Sequence, residues 1–139
     1  MGIILTLDTN ILLDSILKRE PWVSDSAKIL RLNAKKKIRA SITTNMITDI
    51  YYIAVKVTGK AQIREAITTF LKIFDIIPVD RADCKKALAS GIDDFEDALL
   101  SVCAMKNKSK YIITRNVKDF AGSAVPAIEP SEFLEEFSE

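Results

Sequence analysis

Ile3-Ile4-Leu5-Thr6-Leu7-Asp8-Thr9-Asn10 opens the chain with a short run of mostly apolar, β-branched residues that stops at an acid. An unbroken run of that length is expected of a strand buried on both faces of a parallel sheet. In open α/β sheets, ligands bind outside the carboxyl ends of the strands. Asp8 therefore stands where a carboxylate is presented to a site while its backbone is held by the sheet. It also stands where Asp commonly caps a helix, here one beginning near Ile11, and one residue can do both.

Working outward, helical and strand patterns alternate. Ile11 to Lys18 is helical until Pro21-Trp22 interrupts it. Ser24 or Asp25 then caps a helix with Ala27, Ile29, Leu30 and Leu32 on its apolar side, closed by Lys35-Lys36-Lys37, where cations suit the negative helix end. Ile38 to Ile42 reads as a strand, and Thr43 or Thr44 caps a long helix to Thr58-Gly59. Ala61 to Ile73 is amphipathic, Phe74 to Val79 is a strand, and Asp80 or Asp83 starts a helix that Gly91 ends. Phe95 to Lys106 is helical, Tyr111 to Thr114 a buried strand, and Ala127-Ile128 a short last strand before an acidic terminal helix. Strands separated by helical crossovers imply one layered α/β domain over residues 1–139, with a mainly parallel central sheet flanked by helices.

Composition narrows the chemistry. The 139 residues suit a single domain, and the hydrophobic fraction of 48% with 28% charged is that of an ordinary globular protein. Lys plus Arg number 20 against 19 Asp plus Glu, so net charge argues neither for nor against nucleic acid, because a local patch would be averaged away. The absence of histidine excludes Ser-His-Asp and Cys-His sites and the common His-containing zinc sites. Hydrolysis by such a chain must use carboxylates and a hard metal. Cys84 and Cys103 are far apart without C-x-x-C spacing, which with the lack of an export-signal pattern predicts a reduced, cytoplasmic protein. No apolar stretch approaches the ~20 residues of a membrane span.

Acids recur in positions like that of Asp8. Asp49 keeps company with Met46, Ile47, Ile50, Ile53 and Ala54, beside a core-facing stripe, where a carboxylate asks for a metal or a donor. Its plainer reading is a first-turn acid complementing the helix dipole. In Asp93-Asp94-Phe95-Glu96-Asp97, Asp97 shares a helix face with both Asp93 and Asp94, and like charges so placed repel. A cation would relieve that repulsion. Asp94 is a good N-cap and Glu96 suits a first turn, but Asp97 lies inside the helix where capping does not explain it. Thr114-Arg115-Asn116 ends another strand, followed by Lys118, Asp119 and Phe120, and this edge carries a hydroxyl, an amide and an acid. Oxygen ligands without nitrogen or sulfur call for Mg²⁺ or Mn²⁺.

Four stretches together resemble the successive motifs of PIN-domain ribonucleases of the VapC toxin type: Leu7-Asp8-Thr9-Asn10, Thr48-Asp49-Ile50-Tyr51-Tyr52, Asp94-Phe95-Glu96-Asp97-Ala98, and Ile113-Thr114-Arg115-Asn116-Val117-Lys118-Asp119-Phe120. The resemblance spans nearly the whole chain, in order. It implies a metal-dependent endoribonuclease with catalytic acids Asp8, Asp49, Asp97 and Asp119. Asp8, Asp97 and Asp119 would hold Mg²⁺ or Mn²⁺, supported by Asn10, Asp94, Thr114 and Asn116. Arg115 and Lys118 are the expected RNA contacts. The chain departs from the family's pattern at Asp49, where glutamate is usual, and at Asn116, where many relatives carry an acid, so the fourth acidic place falls to Asn116 or Asp119. The family also implies an antitoxin protein as partner and a homodimer. Two other classes are weighed. A phosphoacceptor receiver needs an acid pair after its first strand, which Thr9-Asn10 does not supply. A catalytically degenerate PIN-like protein that only binds nucleic acid finds its argument in Asn116.

Overall fold

The strand read as buried on both faces is the central one. The computed structural model describes residues 2–137 and places Ile3–Leu7 (β1) in the middle of a five-stranded sheet. Residue 1 and residues 138–139, the ends of the expected domain, lie outside the described residues. After β1 come helices α1 (Thr9–Ile16) and α2 (Val23–Ala34), strand β2 (Ile38–Thr43), helices α3 (Thr44–Thr58) and α4 (Lys60–Ile73) and strand β3 (Asp75–Ile77). Helices α5 (Arg81–Ala89) and α6 (Phe95–Lys106) lead to strand β4 (Tyr111–Ile113), a 3₁₀ turn (Val117–Phe120), strand β5 (Ala127–Ile128) and helix α7 (Pro130–Glu136). The strand order is β3-β2-β1-β4-β5 and every pairing is parallel. The parallel α/β layering expected from the sequence is thus the observed one.

A parallel strand covered on both faces needs two cores. Leu5 and Leu7 are fully buried in the larger, with Ile11 and Leu12 of α1, Ile29 of α2, Ile50 of α3 and Ile63 of α4. Side chains alternate along a strand, so Thr6 points the other way. There its hydroxyl meets Ser109 Oγ at 2.6 Å, and Asn107 Nδ2 donates to both Ser109 Oγ at 3.2 Å and Ser41 Oγ at 2.6 Å. The buried hydroxyls of Thr6 and Ser41 on the central strands are therefore paired, as burial requires. A second, smaller core joins Ile77, Ala87, Ala98, Leu99 and Cys103 under α5 and α6.

Several boundaries differ from the sequence reading, each for a local reason. Helix α1 begins at Thr9 rather than near Ile11, because the Asp8 side chain accepts from the Thr9 amide at 2.8 Å. Helix α2 begins at Val23 with Trp22 in the capping position, so neither Ser24 nor Asp25 is a cap; both lie in the first turn. Strand β3 is only Asp75–Ile77, since Phe74 closes α4 and Pro78 offers no amide to a ladder. At α5, Asp80 and Asp83 act together: each side chain accepts from the other's backbone amide at 3.0 Å, a reciprocal capping box. The 3₁₀ turn carrying Lys118 and Asp119 is not marked in the sequence by any periodicity. Among the described residues no helix is long and apolar enough to cross a membrane.

Lys106, in the last turn of α6, is an anchor between layers. Its Nζ donates to Pro78 O and to Asp83 Oδ2, both at 2.6 Å, and Asp83 is buried. Burial alone would raise the Asp83 carboxyl, but the hydrogen bond from Lys106, the Asp83–Asp80 capping bonds and the Lys106 charge outweigh it and hold Asp83 below its ordinary 3.8. An acid depressed in the folded state contributes stability above its ordinary value and loses it as pH falls through the folded value. Lys106→Met should therefore cost about 1–3 kcal/mol at pH 7 by stranding a buried carboxylate. Asp83→Asn should lose less stability than the parent between pH 5 and pH 2, as read by urea denaturation across that range.

Candidate active site

The carboxyl ends of β1 and β4 and the amino ends of α1, α3 and α6 meet at one edge of the sheet. Asp8 is pinned there from several directions. Its amide donates to Ile113 O at 2.9 Å, which ties the first residue after β1 to the last of β4. Its Oδ1 accepts from Thr9 N at 2.8 Å, and its Oδ2 accepts from Thr114 Oγ1 at 2.7 Å and from Asn10 Nδ2 at 3.2 Å. Thr114 is fully buried, and the same hydroxyl accepts from Asn116 N at 3.0 Å, which orients it toward Asp8. Burial raises the Asp8 carboxyl, while the bonds from Thr114, Thr9 and Asn10 and the Arg115 charge partly counter it. Asp8 is thus the helix cap and also a carboxylate held at the strand edge.

Across from it, Asp94 caps α6 by accepting from Asp97 N at 3.0 Å, and Asp97 stands inside the first turn. Burial pushes the Asp97 carboxyl up to about 6, with the charges of Asp94, Asp8, Asp119 and Glu96 adding to the rise. Asp8, Asp97 and Glu96 line a cavity of about 20 Å³ together with Thr9, Thr43, Asn45, Met46 and Leu100. That volume holds about one water or one small ion. Asp97 also borders a wider groove of about 440 Å³, between the Gly91–Asp94 loop and the 3₁₀ turn, which carries Lys118 and Asp119 on its wall.

The other expected residues fall in unequal places. Asn10 supports Asp8 as described. Asp119 and Lys118 are exposed on the groove, and Asp119 is one of the charges felt by Asp97. Asn116 is exposed, with its backbone rather than its side chain tied to Thr114. Asp49 lines neither the small cavity nor the groove; it is half-buried on α3, and its charge acts on Glu96. Arg115 differs most from expectation. Its guanidinium grips buried Asp14 with Nε to Oδ2 at 2.8 Å and Nη2 to Oδ1 at 3.0 Å, and its plane lies 3.9 Å from the Trp22 ring centre. That engagement occupies the guanidinium with partners inside the protein.

Two side chains at the cavity escaped the sequence reading. Glu96 adjoins Asp97, and successive helix positions diverge by 100°, so it reads as solvent-facing. At the open first turn it nonetheless reaches the cavity wall, where burial and the charges of Asp49, Asp94 and Asp8 raise it. Asn45 opens α3 just beyond the end of β2, and the strand-end logic that singles out Asp8 would have found it. Its Oδ1 is buried without a hydrogen-bond partner, as is Asn10 Oδ1.

A model of the PIN domain matches residues 5–118. The chain belongs to the PIN domain family. Ribonuclease VapC1 of Aquifex aeolicus (strain VF5) is 26% identical over 137 residues, covering 95% of this chain and 94% of that protein. Among solved structures, VapBC2 of Rickettsia felis bound to a promoter DNA fragment matches with a TM-score of 0.68 at 19% identity, over 91% of this chain and 98% of that one. A toxin-antitoxin complex from Klebsiella pneumoniae gives 0.69 at 24% identity, over 91% and 97%. VapC20 of Mycobacterium tuberculosis, described as a sarcin-ricin loop cleaving toxin, gives 0.63 at 13% identity, over 78% and 86%. At such identities the structures establish the fold.

PIN-domain ribonucleases generally use a divalent metal, and the residues of this PIN domain suit one in kind. The donors are all oxygens, as a hard cation prefers. Two amide oxygens are buried without partners, and Asp97 is raised by burial and further by its neighbours' negative charge. Among the described residues no three acidic or thiol side chains are clenched on a single point, so the set suits a cation held by one or two carboxylates with water completing the shell. Clustered charge also has a stability signature. An acid raised by folding favours the folded state only when protonated, so the chelated parent should gain stability as pH falls from above 6 toward 4. Asp97→Asn should melt higher than the parent at pH 7–8 and converge with it near pH 4, as thermal melts in EDTA would show.

Proposed function

We propose that this PIN domain is a Mg²⁺- or Mn²⁺-dependent endoribonuclease, the toxin of a type II toxin-antitoxin pair, working in the cytoplasm. The observation that carries the reading is the meeting of Asp8 and Asp97 at a cavity sized for one ion or water, with Asp97 raised to about 6 by burial and surrounding carboxylates. Such a constellation is costly unless a cation is meant to occupy it. The similarity to Ribonuclease VapC1 supports the reaction class. The fold shared with toxin-antitoxin complexes supports a protein antitoxin as partner, and a homodimer is the assembly expected with it.

In this reading Asp8 and Asp97 hold the cation directly, Asp119 approaches from the groove side, and Asn10 and Asn45 offer neutral oxygens. When bound, a divalent ion makes water a stronger nucleophile and neutralises charge developing on the phosphoryl oxygens. Thr114, Thr9 and Asn10 aim Asp8 and partly counter the rise that burial imposes. Glu96, on the cavity wall and raised by burial and by Asp49, Asp94 and Asp8, is placed to accept the attacking water's proton. Asp49 takes part through its charge on Glu96. Lys118, exposed on the groove wall, positions the RNA phosphate, Asp94 lines the same groove, and the Asn116 amide supports Asp8 through Thr114. The loose spacing of the acids favours one other reading, a PIN domain that binds RNA without cutting it.

Cleavage of labelled RNA decides between them. Asp8→Asn and Asp97→Asn should each reduce cleavage in Mn²⁺ by more than the roughly 10–100-fold typical of lost outer-shell partners. A parent that retards RNA in a gel yet leaves it intact in either metal would establish the binding-only reading. The fourth acidic place has its own test. If Asp119 fills it, Asp119→Asn lowers turnover sharply and Asn116→Asp alters little but metal affinity; if Asn116 marks a weakened site, Asn116→Asp raises turnover, because an anionic oxygen holds a hard cation better than an amide oxygen. Mn²⁺ titration of both variants while following cleavage separates the two.

A further inference from the structure

Asp14 carries no part of the chemistry above, yet among the described residues it is the most completely buried acid. It lies inside α1 among Ile11, Leu12 and Leu13, with its side chain 0% exposed. A lone carboxylate there would be prohibitive, and a buried ion pair is retained only with good geometry. Arg115 supplies that geometry edge-on, its Nε and Nη2 meeting both Asp14 oxygens at 2.8 and 3.0 Å. Such two-point pairing fixes orientation as well as distance. Trp22 closes the guanidinium's face at 3.9 Å from the ring centre, and Arg19 adds a second cation at 3.7 Å.

What makes the pair more than a structural staple is its place in the chain. Arg115 is flanked by Thr114, whose hydroxyl bonds Asp8 at 2.7 Å, and by Asn116, whose amide fixes that hydroxyl at 3.0 Å. Helix α1 is therefore gripped twice by one segment: at its cap, Asp8, through Thr114, and inside its second turn, Asp14, through Arg115. Either contact alone would let the segment pivot about it. We propose that Asp14, Arg115 and Trp22 form a positioning clamp that sets the strand-edge segment, and through Thr114 the Asp8 carboxylate, at the angle the reaction needs. Resting on the ribonuclease reading, this assigns Arg115 to orientation and not to holding RNA.

Arg115→Lys tests the clamp because it keeps the charge near Asp8 but loses the fork and the flat face. For labelled RNA in Mn²⁺, the expected result is about a tenfold or greater fall in kcat with KM changed less than threefold, together with faster amide hydrogen exchange at Asn116 in the chelated protein. Asp14→Asn, which keeps shape but loses the pairing charge, should reproduce both effects in the same direction. Trp22→Ala should show them more weakly, and being at the surface it carries the test should Asp14→Asn not fold. An RNA contact would instead raise KM in Arg115→Lys, flatten the salt dependence of KM and leave Asn116 exchange unchanged, which overturns the proposal. So would lowered melting temperatures with kcat and exchange unaltered. A parent that cuts no RNA refutes the ribonuclease reading alone, because Asn116 exchange in the three variants still decides whether the clamp exists.

Discussion

The hydrogen bond between Thr114 and Asp8 joins residues 106 positions apart at 2.7 Å, and the site depends on it. It exists because β1 and β4 are parallel neighbours whose ladder ends one step earlier, where Asp8 N meets Ile113 O. Each strand by itself presents a polar residue to solvent at its end. Pairing turns two exposed ends into a buried hydroxyl and an oriented carboxylate. The helix amino termini that follow β1 and β2, together with that of α6, then face the same space, so backbone amides as well as side chains set the local field.

That arrangement explains why acids can crowd without unfolding the domain. Asp8 is compensated by Thr9, Asn10 and Thr114, and Asp94 by the amide it caps, so each has hydrogen bonds of its own. Asp97 has the least compensation, and it is the one raised furthest toward neutrality. The contrast with Asp83 is instructive. It is more deeply buried, but a lysine at 2.6 Å depresses it, and it serves as a join between layers. Half-buried Asp97 is raised by burial and by the acids around it, whereas an ammonium group overcomes the effect of burial at Asp83.

Much of this was legible in the primary structure wherever period and punctuation agree. The alternation of strands and helices, helix Phe95–Lys106 and the two-residue strand at Ala127-Ile128 follow from apolar spacing and from Gly and Pro. Asp8 and Asp97 follow from the chemistry of strand ends and helix caps. The rest depends on tertiary contact. Arg115 beside Lys118 looks like a phosphate grip until Asp14, a hundred positions earlier, is found underneath it. Glu96 looks like a first-turn acid until α3 brings Asp49 opposite. The 3₁₀ turn at Val117–Phe120 is a short bend defined by what it packs on, with no repeat to announce it.

The position of β1 bears on how the molecule comes into being. A strand near the start of the chain is the sheet's centre, and one of its two partners lies more than a hundred residues downstream. Parallel pairing over such a separation closes a long loop and is intrinsically slow. During synthesis β1 can pair with β2 early, but its other flank stays open until Tyr111–Ile113 emerges. Until then Asp8 has no Thr114 to orient it, so a partly made chain carries the acids without the contact that sets their geometry.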